Sequence, residues 1–346
     1  MIKKASLCVF VLMGAMGITM TAHAGTMSWK NPIVRERADP HVFLHSDGYY
    51  YLVATVPEYD RIELRRAKTI DGLSSGQKKT IWKKHSSGEM GAHIWAPEIH
   101  NIDGKWYVYF TAAPAENIWD IRPYVLECDD QNPLTGDWEE KGRIKLAWES
   151  FSLDGTTFEH KGKRYFVWTQ RGSAPYDGTN IYIAEMDTPT SIIGEPVMLT
   201  YPDYEWETRG YRVNESPAVL VWKDKVYMTY SAAATDHNYC LGLLTADADA
   251  DLLDPKSWTK SPEPVLKSDE ETSQYGPGHN SFTTTPDGKK VILVYHARDY
   301  LFRDGVDGNA LYNHDRATRA QELKWDADGN PVFGPPVKDG SYSMEY

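Results

Sequence analysis

Residues 96–113 read APEIHNIDGKWYVYFTAA: a short apolar strand, a tight turn at Asp103-Gly104, then an aromatic strand. The same grammar returns as DPHVFLHSDGYYYLVAT from Asp39 and as DGTTFEHKGKRYFVWTQ from Asp154. It returns twice more, as ESPAVLVWKDKVYMTYSA from Glu215 and as HNSFTTTPDGKKVILVYHA from His279. The turns centre near Gly48, Gly104, Gly162, Asp224 and Gly288, at spacings of 56, 58, 62 and 64 residues. Asp-Gly, Lys-Gly and Lys-Asp between alternating runs are hairpin turns. A repeat of this length holds about four short strands, which is one propeller blade. The sequence therefore predicts an all-β chain, a five-bladed β-propeller. One large sandwich would not explain five evenly spaced copies of one hairpin. A single short turn of helix is expected between Ala248 and Trp258.

Composition agrees. The chain has 346 residues, 41% hydrophobic and 25% charged, in the globular range. Its 12 Trp and 22 Tyr, with 26 Gly and 20 Pro, favour strands and turns over long helices. The formal charge of -12 argues against nucleic acid, because phosphate binding needs a clustered basic face.

Residues 1–24 read as a signal peptide. Lys3 and Lys4 precede an apolar stretch from Ala5 to Met20, and Ala22-His23-Ala24 supplies a small-x-small cleavage pattern. The stretch is short for a membrane span of ~20 residues, so no membrane partner is expected. The mature chain, 25–346, is read as one catalytic propeller, secreted or periplasmic and acting as a monomer. Without the leader only Cys128 and Cys240 remain. They make no disulfide framework and no zinc spacing; pairing or two buried thiols both stay open.

In a propeller the first strand of each blade lies along the axis, so equivalent residues at its start converge at one end of the channel. Here those starts are Asp39, Trp95 with Glu98, Asp154, Glu215 and His279. Packing alone does not select several acids for one pit, where like charges push pKa values apart. Glycoside hydrolysis asks for such a set: one protonated carboxylic acid at the leaving oxygen and one ionised carboxylate on the opposite face of the sugar. A third acid can hold the proton donor's pKa up and orient it. The Trp and Tyr excess suits sugar rings, although propellers carry it anyway. No GxSxG, HExxH or GxxxxGK[ST] motif is present. Gly276-Pro277-Gly278 is not a dinucleotide fingerprint. Asn214-Glu215-Ser216 matches a glycosylation acceptor only by accident.

Four motifs in this order resemble glycoside hydrolase family 43, the five-bladed inverting arabinofuranosidases, xylosidases and arabinanases. They are Ala38-Asp39-Pro40, Trp95-Ala96-Pro97-Glu98, Ser152-Leu153-Asp154-Gly155 and Val213-Asn214-Glu215-Ser216-Pro217. The resemblance implies Asp39 as general base, Glu215 as general acid and Asp154 as the modulator of Glu215. It implies Trp95 as a pocket wall and Arg316 as an arginine reaching the sugar and the base. It also makes His279 an axial histidine that holds a structural calcium ion through water, with no cofactor needed for the chemistry.

Three further stretches are most similar to the exo-α-1,5-L-arabinofuranosidase branch: Ile121–Glu127, Tyr239–Thr245 and Gly278–Phe282. The implied substrate is arabinan, a plant cell-wall polysaccharide. β-Xylosidase and endo-arabinanase stay open on the same scaffold, as do a non-catalytic carbohydrate-binding propeller and a structural propeller.

Overall fold

The computed structural model describes residues 25–346; the predicted leader, 1–24, lies outside them. Five four-stranded antiparallel sheets follow one another in sequence. Blade 1 is Ala38–Leu44, Tyr50–Thr55, Arg61–Ala67 and Gln77–Lys83. Blade 2 is Ala92–Ile102, Lys105–Ala113, Arg122–Cys128 and Glu139–Arg143. Blades 3, 4 and 5 begin with Ser152–His160, Asn214–Trp222 and Tyr275–Thr284. The quoted repeats are thus the two innermost strands of each blade. Gly48, Gly104, Gly162 and Gly288 sit at their turns with φ between 70° and 84°, a conformation that costs glycine least. Among the described residues the helices are single 3-10 turns, one of them, Pro255–Ser257, inside the stretch expected to hold a turn of helix.

Hydrophobic side chains collect between neighbouring blades rather than in one central mass. Tyr51, Val53 and Leu64 of blade 1 pack on Trp106, Val108 and Phe110 of blade 2. Tyr109 and Val125 meet Phe166 and Trp168 across the next interface. The apolar alternation of each aromatic strand supplies the two faces that such stacking needs. Cys128 and Cys240 are free, buried thiols in two different interfaces, which removes the pairing alternative.

The ring closes where blade 5 meets blade 1. Thr26–Asn31 pairs antiparallel with Gly340–Glu345, so the tail closes the ring together with the chain's first strand. Asn31 clamps that pair to blade 5: its Nδ2 donates to the Ala320 carbonyl at 2.8 Å and its Oδ1 accepts from the Ala320 N–H at 2.9 Å.

One irregularity repeats five times. Each innermost strand carries a one-residue bulge against its neighbour, after Ala38, Trp95, Leu153, Glu215 and Gly278. The next residue is left-handed in every case: Asp39, Ala96, Asp154, Ser216 and His279 have φ of 55°, 45°, 52°, 55° and 46°. None is glycine, so each pays a steric cost that surrounding contacts must cover. Hydroxyls and one imidazole of the preceding blade accept four of the five N–H groups. Thr55 takes that of Ala96 at 2.8 Å, Thr111 that of Asp154 at 3.0 Å, Ser231 that of His279 at 2.8 Å and His296 that of Asp39 at 3.0 Å. A bulge re-aims side chains. Here it lets the consecutive Leu153 and Asp154 line the same cavity, where a regular strand would point them apart.

Candidate active site

The five bulges surround a cavity of about 730 Å³, a size that suits a small ligand. Asp39, Trp95, Asp154, Glu215, His279 and Arg316 all line it. Glu98 does not. It lies two residues beyond the left-handed Ala96, one layer deeper in the channel, and the expectation that it starts blade 2 beside Trp95 is corrected. The bulge supplies the reason: the left-handed residue breaks the alternation that spacing alone assumes. For the same reason Glu215 belongs to the row of Trp95 and Leu153, whereas Asp39, Asp154 and His279 share the left-handed row with Ser216.

Asp39 is held on every side. Its Oδ2 accepts the Thr55 hydroxyl at 2.6 Å, and its Oδ1 faces His279 Nδ1 at 3.2 Å and Arg316 Nη1 at 3.4 Å. Burial alone would raise its pKa; the His279 and Arg316 charges outweigh that and hold it well below the usual carboxylate range. His296 Nδ1 also lies 3.3 Å from Oδ1, but it accepts the Asp39 N–H. Burial lowers the pKa of His296 to about 3, so it stands neutral.

Asp154 and Glu215 go the other way. Burial, reinforced by Asp154, raises the Glu215 pKa. Burial raises Asp154 too, with Asp39 and Glu98 adding and His279 opposing. The two titrate as a linked pair. Ser216 ties the row together: its hydroxyl donates to Asp154 Oδ2 at 2.9 Å and stands 2.8 Å from His279 Nδ1. Burial would depress His279, but the carboxylates of Asp39 and Asp154 prevail and raise it to about 9.

Arg316 is 5% exposed, so it is no surface arginine. Trp95 forms a wall, backed by the His93 ring stacked at 4.1 Å and 22°. Trp95 Nε1 and Arg316 Nε are buried without hydrogen-bond partners, two donors that sugar hydroxyls could satisfy.

Calcium wants six to eight oxygen ligands. His279 offers an imidazolium with Nδ1 already turned to Asp39 and Ser216, and no oxygen cage gathers beside it among the described residues. The donors do not fit a resident calcium ion, and no step is routed through one. Ligand atoms do converge deeper in the channel, at His41, Glu98 and His100. There the Ile99 N–H donates to His41 Nδ1 at 3.3 Å, and burial lowers the His41 pKa to about 4. The His41 proton is therefore on Nε2, facing Glu98 at 3.7 Å, while His100 Nε2 meets the same carboxylate oxygen at 3.0 Å. His100 thus hydrogen-bonds Glu98, and His41 stands beyond hydrogen-bond reach of it.

Sequence reasoning did not assign Thr55, Ser216 and Tyr239. Tyr239 donates its hydroxyl to Glu215 Oε1 at 2.7 Å. The repeat pattern holds a signal for Thr55, since Thr111, Thr169 and Ser231 recur at its position. Tyr239 gives none, because it enters from the loop before a third strand. Asn214 is fully buried, with Nδ2 donating to Glu207 at 3.0 Å, so it accepts no glycan.

A family model described as Glycosyl hydrolases family 43 matches residues 29–331. An extracellular exo-alpha-(1->5)-L-arabinofuranosidase of Streptomyces avermitilis is 56% identical over 315 residues, 91% of this chain and 65% of that protein. The chain thus spans less than two thirds of that relative. A protein of the same description from Streptomyces chartreusis is 53% identical over 272 residues, 79% of this chain and 83% of its own. The crystal structure of an alpha-L-arabinofuranosidase from Lactobacillus brevis superimposes with a TM-score of 0.86 at 47% identity, covering 90% of this chain and 98% of that one.

Proposed function

This chain belongs to glycosyl hydrolase family 43, and on that premise we propose that it is an inverting exo-glycosidase releasing L-arabinose from α-1,5-linked arabinan and arabino-oligosaccharides. The observation that carries the reading is the division of protons in the pit. Asp39 is held ionised by His279 and Arg316, while Glu215 is held protonated by burial and Asp154. Two carboxyls whose environments push them apart are an acid and a base.

In this reading Asp39 takes a proton from a water molecule whose oxygen attacks the anomeric carbon. The glycosidic C–O bond breaks as its electron pair goes to the leaving oxygen, which takes the proton of Glu215. Attack from the face opposite the leaving group inverts the anomeric centre. Asp154 keeps Glu215 protonated until that moment, and Ser216 fixes Asp154. Trp95 and Arg316 hold the sugar. No cofactor is needed for these proton transfers, and dialysis against a chelator is expected to leave turnover intact.

The extracellular descriptions of the two Streptomyces relatives support export, with 1–24 as the removed leader. The six site residues come from one ring, which supports action as a monomer; the formal charge of -12 speaks against nucleic acid, and the reading includes no membrane. Among the described residues no helix is long and apolar enough to cross one.

The test is incubation with linear α-1,5-arabinan followed by proton NMR. Arabinose alone, appearing first as the β anomer, is expected. Oligosaccharide products would replace exo by endo action, and cleavage of xylo-oligosaccharides instead would move the assignment to β-xylosidase. No product from either would favour a binding propeller.

A further inference from the structure

Gly276-Pro277-Gly278 has no role in the reaction as described, yet its last residue sits in a telling place. Gly278 precedes a left-handed residue, as Trp95, Leu153 and Glu215 do in their blades, and those three side chains all line the cavity. Blade 5 alone has no side chain in that row. The space is not empty: a Cβ built on Gly278 would lie 2.3 Å from both Cδ1 and Cε1 of Tyr239. The ring of Tyr239, from the loop entering Cys240–Asp247 of blade 4, occupies the room that glycine leaves. Its other neighbour is His296, parallel within 2° at a centroid distance of 5.7 Å.

The ring's position fixes its hydroxyl. It stands 2.7 Å from Glu215 Oε1 and 3.3 Å from Ser216 Oγ. Ser216 Oγ already gives its hydrogen to Asp154 and faces the Nδ1–H of His279, so the shorter contact to Glu215 is where the Tyr239 hydrogen goes. Burial and the neighbouring carboxylates keep the phenol protonated at any working pH. Glu215 Oε1 is thereby committed as an acceptor, and the acid's own proton is left to Oε2.

We propose that Tyr239 is the positioning residue of Glu215, selecting Oε2 as the oxygen that carries the transferable proton, and that Gly278 is the residue that admits it. The proposal rests on Glu215 being the general acid.

The test compares Tyr239→Phe, Gly278→Ala and the double variant on an α-1,5-arabino-oligosaccharide and on a nitrophenyl arabinofuranoside, across pH. Loss of one preorganised donor is expected to lower kcat on the oligosaccharide roughly 10–100-fold, with KM little changed. The nitrophenyl substrate, whose leaving group needs little protonation, should lose much less. Without the phenol the ionised form of Glu215 loses a donor, so the basic limb of the profile should move to higher pH. The double variant should be no slower than the slower single one, because both changes remove the same contact.

Gly278→Ala could simply destabilise the fold, and a second background controls for that. Once Tyr239→Ala has removed the ring, adding Gly278→Ala should cost little further Tm. An unmoved basic limb and an unmoved substrate ratio in Tyr239→Phe overturn the proposal. Glu215→Gln keeps its failure apart from that of the parent reading. A substrate split in Glu215→Gln without one in Tyr239→Phe sinks only the role of Tyr239. Equal losses on both substrates in Glu215→Gln remove the acid assignment and the proposal with it.

Discussion

His279 of blade 5 stands with Nδ1 3.2 Å from Oδ1 of Asp39 in blade 1, a cation against the carboxylate across the ring's seam. The pair has a measurable pH signature. The folded pKa of His279, about 9, lies above its ordinary 6.5, so its contribution to stability is complete below about pH 6.5 and lost as pH rises through about 9. Glu215 and Asp154 are raised as well and add the same sign from lower pH. Tm should therefore fall between pH 6.5 and 9, and His279→Gln should flatten the upper part of that fall. The same substitution removes a charge that keeps Asp39 ionised, so the acid limb of kcat/KM should rise by ~1–3 pH units. Calorimetry and initial rates over pH 4–10 check both.

Asp39→Asn should lower kcat by at least ~10²–10⁴-fold while leaving the circular dichroism spectrum close to wild type, because no other group in the pit is placed to deprotonate water. Retention of most activity would take Asp39 out of the mechanism.

Glu215→Gln should separate substrates by leaving group. Turnover of arabinobiose should drop ~10²–10⁴-fold and that of a nitrophenyl arabinofuranoside far less, since only the former needs its oxygen protonated. Steady-state kinetics on the two substrates decides it.

Behind Glu215, Glu207 is fully buried and receives Lys260 Nζ at 2.8 Å, Asn214 Nδ2 at 3.0 Å and the Tyr230 hydroxyl at 2.9 Å. Lys260→Met would leave that carboxylate without its cation, at a cost of about 3 kcal/mol. For a domain of about 320 residues that corresponds to a Tm about 4–5 °C lower. Neither limb of the pH–rate profile should move; a shift would mean that Lys260 acts on the pit itself.

Five hairpins and their order were legible because each turn carries its own local chemistry at Gly48, Gly104, Gly162, Asp224 and Gly288. Asp39, Asp154 and His279 were legible because the repeat places them alike. Glu98 misled because the bulge after Trp95 is written in backbone dihedrals, not in composition: Ala96 at φ 45° looks like any alanine. The role of Tyr239, though its stretch Tyr239–Thr245 drew notice, was invisible for another reason. Its partner is a missing side chain at Gly278, 39 positions later, and a glycine's sequence letter does not say what fills its place.

The seam of the ring also orders events in time. Each blade is assembled from strands adjacent in sequence, so its pairings are local and quick to form. Asp39, by contrast, meets His296 across 257 positions and Arg316 across 277. Those contacts wait for the chain to come full circle, a far longer loop closure than any pairing within a blade. Glu215, Asp154 and Ser216 come from blades 3 and 4 and can take their places earlier; the proposed base acquires its cations only when the last blade docks on the first. Recovery of turnover during refolding is therefore a clock for circle completion and should lag the recovery of strand signal, and a nascent chain stalled before blade 5 would be silent.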